Sequence, residues 1–220
     1  MEIEQIIYTG NKINPSKALI MLHGRGGSAE DILSLAQDLN VHDYLLAAPQ
    51  AINNSWYPQS FLVVPSRNEP WLSSSLKVVH NLVIEIEKRG IKKENIFLLG
   101  FSQGACLMLE YVARNAAKYG GIVAFTGGLI GDKIYAENYK GKFHGTPVFI
   151  GTSDPDPHVP VQRVNESAFI LENMHAQVTK KIYKNMGHTI SQDEIDIVNK
   201  LLFANTVSQK LNLTTNFEND

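Results

Sequence analysis

A serine stands in a glycine-rich turn between a short apolar run and a longer run of helix-forming residues. Residues 100–104 read Gly-Phe-Ser-Gln-Gly, the pattern G-x-S-x-G. The run before them, 95–99, has the character of a strand buried on both faces, and the run after them, 106–114, is rich in helix formers. A strand joined to a helix this closely needs strained backbone at the serine and small neighbours around it. The context favours Ser102 as a nucleophile over the alternative, an ordinary strand-to-helix turn with a serine near an N-cap.

The alternation of strand-like and helix-like runs continues along the chain and predicts an α/β fold with a mostly parallel central sheet and helices on both faces. We see no internal repeat or interdomain linker, so we expect a single domain over residues 1–204 without a large lid domain. The polar segment 205–220 is expected to be a mobile tail. Further strands are predicted at 18–22, 45–48 (ended by Pro49), 122–125, 148–150 and 178–183, and helices from Ser28 and over 72–89, 161–175 and 192–203.

Composition excludes some partners and leaves others open. The net charge of −2 and the pI near 6.4 give no reason to expect nucleic acid. No run approaches the roughly 20 apolar residues of a membrane helix, so no stable membrane anchor is expected. The single cysteine precludes an intrachain disulfide, and with no basic signal-peptide start at Met1 this favours a cytoplasmic protein. The oligomeric state is left open.

A serine hydroxyl needs a base within hydrogen-bond reach and a carboxylate to orient that base. Among the seven histidines, three follow predicted strands: His23, His158 and His188. All three follow the carboxyl ends of predicted strands, where the functional residues of a parallel sheet usually lie, so position alone does not identify the base. The chain order serine, aspartate, histidine is satisfied by Ser102, one aspartate of the 154/156 pair and His188.

Several motifs together resemble the phospholipase/carboxylesterase family of α/β hydrolases, which includes acyl-protein thioesterases and small bacterial carboxylesterases. Besides the serine turn, the stretches that match are Leu-His-Gly-Arg-Gly at 22–26, Ser-Trp-Tyr at 55–57, Asp-Pro-His-Val-Pro at 156–160 and Gly-His at 187–188. The resemblance implies the α/β-hydrolase fold. It also implies a nucleophile at Ser102, a general base at His188 and an orienting carboxylate at Asp156, with Asp154 as the competing choice.

The resemblance further implies an oxyanion hole made by the backbone amides of Arg25 and Gln103. Gly24, Gly26 and Gly27 let the first loop bend inward, and Gln103 begins a helix whose dipole adds to its donor. His23 is then expected to be structural. Acyl-protein thioesterases usually have Leu-Gly-Asp after the His-Gly pair, whereas this chain has Arg25-Gly26-Gly27. This departure favours a carboxylesterase acting on small-molecule esters, with an acyl-protein thioesterase or a lysophospholipase as alternatives.

The connection over 54–72 contains both tryptophans, and a loop this long in a compact domain is often functional. We expect its aromatic and apolar side chains to line a substrate pocket, although core packing beneath a surface loop is an even alternative. The predicted lining residues are Trp56, Tyr57, Trp71, Leu72 and His158.

Other site types fit less well. The spacing of the histidines and aspartates matches no short zinc signature, and the glycine-rich loop lacks the Lys-Ser/Thr ending of a phosphate-binding loop. We therefore expect neither metal nor cofactor. Cys106 is expected to be a buried core thiol. A non-catalytic binding protein of the same fold would typically lack a member of the triad, and all three are present here. Peptidase activity on the same triad is left open.

Overall fold

The computed structural model describes residues 5–204, and its centre is a seven-stranded sheet with the order β1-β3-β2-β4-β5-β6-β7. β1 runs antiparallel to β3, and every other neighbouring pair is parallel. This confirms the predicted mostly parallel sheet. The strands are β1 (Gln5–Gly10), β2 (Ala18–Leu22), β3 (Leu45–Gln50), β4 (Ile96–Phe101), β5 (Gly121–Phe125), β6 (Pro147–Asp154) and β7 (Gln177–Lys184).

Helices cover both faces of the sheet, as predicted. They are α1 (Ala29–Ser34), α2 (Trp71–Lys88), α3 (Gln103–Arg114), α4 (Val161–Asn173) and α5 (Gln192–Leu201). Alternate residues of β2 belong to different cores: Ile20 packs with α2, α3 and α4, whereas Leu19 packs with α1 and α5. Side chains alternate along a strand, so a central strand buried on both faces must be apolar at every position. The described residues contain no separate lid domain.

The helix signals in the sequence lie within a few residues of the observed ends. Ser28 caps α1, with its hydroxyl accepting from the Asp31 amide while the Asp31 carboxylate accepts from the Ser28 amide. α2 begins and ends one residue before the predicted positions. α3 begins at Gln103, because the turn after Ser102 leads directly into the helix.

Two strand predictions were wrong or incomplete. β1 was missed, because it is an edge strand with half-exposed side chains and carries only a weak apolar signal. β3 does not end before Pro49, which pairs with Ile6 of β1. Pairing with β2 stops at Ala47, so Pro49 has a neighbouring strand on one side only and its missing N–H is tolerated.

The predicted tail over 205–220 lies outside the described residues. Within residues 5–204, no helix is both long and apolar enough to cross a membrane.

Candidate active site

Ser102 lies at the junction of β4 and α3 in a strained backbone conformation, with φ 53° and ψ −117°. A non-glycine residue with this backbone costs about 1–3 kcal/mol, so the surroundings must hold it in place. Backbone from α3 and β2 packs directly against the glycines of the turn. A Cβ on Gly100 would lie 2.6 Å from the Ala105 amide nitrogen, and one on Gly104 would overlap the Leu22 carbonyl oxygen. The small residues of the turn are therefore required by packing against α3 and β2.

A continuous hydrogen-bonded chain connects Ser102, His188 and Asp156. His188 Nε2 is 2.8 Å from Ser102 Oγ, and His188 Nδ1 is 2.8 Å from Asp156 Oδ2. A carboxylate can only accept, so Nδ1 carries the proton and Nε2 is free to accept from the serine hydroxyl. The His188 side chain is one-fifth exposed while the Asp156 side chain is fully buried. The loops after β4, β6 and β7 thus bring together the three residues that the sequence singled out.

The Asp156 carboxylate is fixed by its own loop. Oδ1 accepts hydrogen bonds from the amides of His158 and Val159, each at 2.8 Å. Burial alone would raise the pKa of Asp156, but these amides and His188 outweigh it and hold the pKa below its usual value. Asp154 is exposed at the end of β6, and His188 contacts Asp156 rather than Asp154. Of the two aspartates that the sequence left open, the geometry joins Asp156 to the histidine.

The backbone amides of Arg25 and Gln103, both near Ser102, donate no hydrogen bond to a group within residues 5–204. Gln103 is the first residue of α3, where an amide has no partner inside the helix. The Arg25 loop lies against the turn, because a Cβ on Gly24 would be 3.4 Å from Ser102 Cβ. It is held there by a hydrogen bond from the Gly26 amide to the Asn54 carbonyl, 2.7 Å long. These are the two amides that the resemblance to the family implies as oxyanion donors.

His23 shapes this loop without reaching the serine. Its Nδ1 is 2.7 Å from the Gly24 carbonyl oxygen, and its Nε2 accepts from the Ala51 amide at 3.1 Å. The ring is therefore neutral with its proton on Nδ1. Burial lowers the pKa of His23, although the bond to Gly24 opposes the shift. This matches the structural role expected for the residue.

A cavity of about 570 Å³ opens over Ser102. Of the predicted lining residues, Tyr57 and His158 border it. The prediction was wrong for Trp56, Trp71 and Leu72, which do not border the cavity. Trp56 is buried with its Nε1 donating to the His23 carbonyl at 2.8 Å. Leu72 is a core residue of α2, and Trp71 is 39% exposed at the start of that helix.

The sequence analysis missed much of the lining. One wall of the cavity is formed by residues 57–62. Phe101 also lines the cavity, with its ring centroid 5.3 Å from that of His188. The prediction that the connection lines the site holds for the residues between its two tryptophans rather than for the tryptophans themselves. Phe101 could have been found from its place beside the nucleophile.

Cys106 borders the same cavity and is buried. Burial raises the pKa of its thiol to about 12, which keeps it protonated and unreactive at neutral pH. Among residues 5–204, no group of three or more histidine, cysteine, aspartate or glutamate side chains is placed to hold a metal ion.

Known proteins resemble the chain over nearly its whole length. The family model described as phospholipase/carboxylesterase matches residues 2–206. Acyl-protein thioesterase 1 of Saccharomyces cerevisiae is 30% identical over 210 residues, covering 84% of this chain and 91% of that protein. The match to acyl-protein thioesterase 1 of Gibberella zeae is 35% identical over 130 residues but spans only 55% of that relative.

Solved structures agree with this assignment. A crystal structure of a phospholipase/carboxylesterase from Dyadobacter fermentans is 55% identical, has a TM-score of 0.90, and is matched over 91% of this chain and 96% of its own. The carboxylesterase of Bacillus cereus, 19% identical with a TM-score of 0.75, covers 90% of this chain and 93% of its own and shares the fold. The chain is thus a hydrolase that belongs to the phospholipase/carboxylesterase family and has the α/β-hydrolase fold.

Proposed function

We propose that the chain is a serine carboxylesterase that hydrolyses small carboxylic esters through an acyl-enzyme on Ser102. The observation that carries the proposal is the hydrogen-bonded chain from Asp156 through His188 to Ser102, at the floor of an open cavity. Family membership supports the same reaction class. The proposed chemistry draws on side chains and backbone amides of this chain alone.

In the proposed first step, Ser102 Oγ attacks the carbonyl carbon of the ester while His188 Nε2 accepts the hydroxyl proton. The imidazolium that forms is stabilised by the Asp156 carboxylate, which also keeps the ring in the required tautomer. The depressed pKa of Asp156 ensures that this carboxylate is ionised at neutral pH. The strained backbone at Ser102 presents the hydroxyl to substrate and base together.

The negative charge that develops on the carbonyl oxygen would be received by the free amides of Arg25 and Gln103. Each donor is preorganised, since its direction is set by a loop or a helix end before substrate binds. In comparable enzymes the loss of one such donor costs about 3 kcal/mol of transition-state stabilisation.

Collapse of the tetrahedral intermediate releases the alcohol, which takes its proton from His188. The acyl group remains on Ser102 as an ester. His188 then accepts a proton from an incoming water, the resulting hydroxide attacks the acyl-enzyme, and Ser102 leaves with the proton returned by His188. The products are a carboxylic acid and an alcohol, and the enzyme is restored.

The cavity has the size of a small-molecule site. Its volume is about 570 Å³, and apolar side chains of Phe61, Leu62, Phe101 and Val159 line part of it, which suits the apolar acyl group of an ester. The Arg-Gly-Gly sequence at 25–27 also departs from the Leu-Gly-Asp of acyl-protein thioesterases, which supports the small-ester interpretation.

Thioester hydrolysis, as in the relatives named acyl-protein thioesterase 1, is the second candidate function, and the identity with the yeast protein favours it. A lysophospholipase would use the same residues on a longer acyl chain. These candidates differ from the first in the leaving group and in acyl length, not in the nucleophile.

A panel of p-nitrophenyl esters and matched thioesters, from acetyl through butyryl and octanoyl to lauroyl, distinguishes the candidates. We expect the highest kcat/KM for acetyl or butyryl oxygen esters, and loss of all turnover in Ser102→Ala. A maximum at lauroyl thioesters would favour the thioesterase, and undiminished turnover in Ser102→Ala would refute the proposal.

A further inference from the structure

The guanidinium of Arg25 donates hydrogen bonds to the backbone of one wall of the cavity, residues 57–62. Nη2 donates to the carbonyls of Tyr57 and Gln59, at 2.9 and 2.8 Å. Nη1 donates to the Pro58 carbonyl at 3.1 Å and to Ser55 Oγ at 3.0 Å. Three consecutive carbonyls thus point at one side chain, and they belong to residues that line the cavity.

The wall is tied to the neighbouring elements at other points. Gln103 Nε2 donates to the Tyr57 carbonyl at 2.8 Å, and its Oε1 accepts from the Trp56 amide at 3.0 Å. At the far end, Asn68 accepts from the Gln59 amide and donates to the Ser60 carbonyl. Arg25 and Gln103 therefore hold the wall with their side chains, and their backbone amides are the proposed oxyanion donors.

The role of Arg25 in this arrangement depends on its shape as much as on its charge. Both terminal nitrogens of the guanidinium donate twice, so all four of their N–H groups are used. Within the described part of the chain, Arg25 forms no ion pair with a carboxylate. A lysine has three donors on a single nitrogen and cannot reproduce this planar fork.

The wall borders two cavities. Leu62 lines both the cavity over Ser102 and a second one of about 640 Å³, which is also lined by Ile134 and Pro160. An outward movement of the wall would enlarge the cavity over Ser102 on the side of the second one and make room for a longer acyl chain.

We propose that Arg25 is a positioning residue whose guanidinium fixes residues 57–59 of the wall over 57–62 against the oxyanion loop and thereby restricts the enzyme to short acyl chains. The proposal rests on esterase activity at Ser102. The side chain acts through the wall, whereas the Arg25 backbone amide is unchanged by substitution of the side chain. The two contributions of the residue can therefore be separated by experiment.

The test compares Arg25→Met and Arg25→Lys with the wild type, and uses Arg67→Met as the matched control. Arg67 is exposed on the same connection and its side chain makes no hydrogen bond or ion pair among the described residues. We expect the ratio of kcat/KM for butyrate to that for laurate to fall about tenfold in both Arg25 variants, mainly through KM. Arg67→Met should keep the wild-type ratio.

Hydrogen exchange provides a readout that does not need turnover. The amides of Tyr57 and of residues 59–62 should exchange faster in Arg25→Met and Arg25→Lys than in Arg67→Met, whatever the ester substrate proves to be. If Arg25→Met does not fold, Arg25→Lys and Arg25→Gln carry the same comparison. An unchanged butyrate-to-laurate ratio with unchanged exchange would overturn the proposal, and so would a Lys variant that behaves as wild type, because charge alone would then suffice.

Discussion

Two regions border the cavity over Ser102, and they are built in different ways. The turn between β4 and α3 is held by neighbouring backbone: Gly100 and Gly104 approach α3 and β2 so closely that a Cβ would clash. The wall over 57–62 is held by side chains outside it: Arg25 and Gln103 from distant parts of the chain, and Asn68 from the same connection. The turn is therefore rigid because of its own sequence, whereas the wall depends on contacts that can be removed singly.

This difference separates the chemistry from the choice of substrate. The reacting groups lie at strand ends and on a strained turn, where few substitutions are tolerated. The wall has several independent ties, so a single change there can alter its position without removing the nucleophile.

The largest effect is expected for the carboxylate that orients the base. Asp156→Asn should lower kcat for a p-nitrophenyl ester about 10⁴-fold, because an amide at this position favours the wrong histidine tautomer. Asp154→Asn is the matched control and should leave kcat near the wild-type value. If the two variants lose activity equally, the assignment of Asp156 is wrong.

The turn itself is tested through stability. Gly104→Ala should lower the free energy of unfolding by about 3 kcal/mol or more, since the new Cβ meets backbone that cannot move aside. In Gly27→Ala the nearest atom would be 3.4 Å away, an ordinary contact, so this control should change stability little. Urea denaturation measures both. Equal stability of the two variants would show that the turn is less tightly packed than described.

The anchoring of the connection is tested by its two tryptophans. Trp56→Phe removes the N–H that satisfies the buried His23 carbonyl and should cost about 1–3 kcal/mol of stability. Trp71→Phe, at a position that is 39% exposed, should change stability by no more than about 0.5 kcal/mol. Thermal or urea unfolding of the pair gives the answer, and a reversed order would contradict the observed burial.

The smallest effect concerns His23, which joins the oxyanion loop to the connection. Because burial lowers its pKa in the folded state, the unfolded chain binds a proton more readily below its ordinary pKa of about 6.5. Stability should therefore fall as the pH drops from about 6.5 towards the folded-state pKa. His23→Gln should lack this component of the pH profile, so a wild-type profile in the variant would exclude it.

The sequence predicted which three residues come together better than it predicted the cavity lining or the edge strand, for a physical reason. Ser102, Asp156 and His188 follow strands and belong to short motifs, so their approach follows from the order of a parallel sheet. The edge strand β1 was missed because half-exposed strands carry a weak apolar pattern. Trp56 and Trp71 were both assigned to the pocket, yet burial of a loop residue depends on partners far away in the chain. The four hydrogen bonds of the Arg25 side chain have no local signal in the sequence.

The proposed reaction depends above all on the acylation of Ser102. Mass spectrometry of the wild-type protein after brief exposure to p-nitrophenyl butyrate and acid quenching tests this directly. We expect one butyryl adduct on the peptide that contains Ser102, and none in Ser102→Ala treated in the same way. An adduct on another residue, or turnover of the ester with the Ser102 peptide unmodified under conditions that trap the intermediate, would contradict the account.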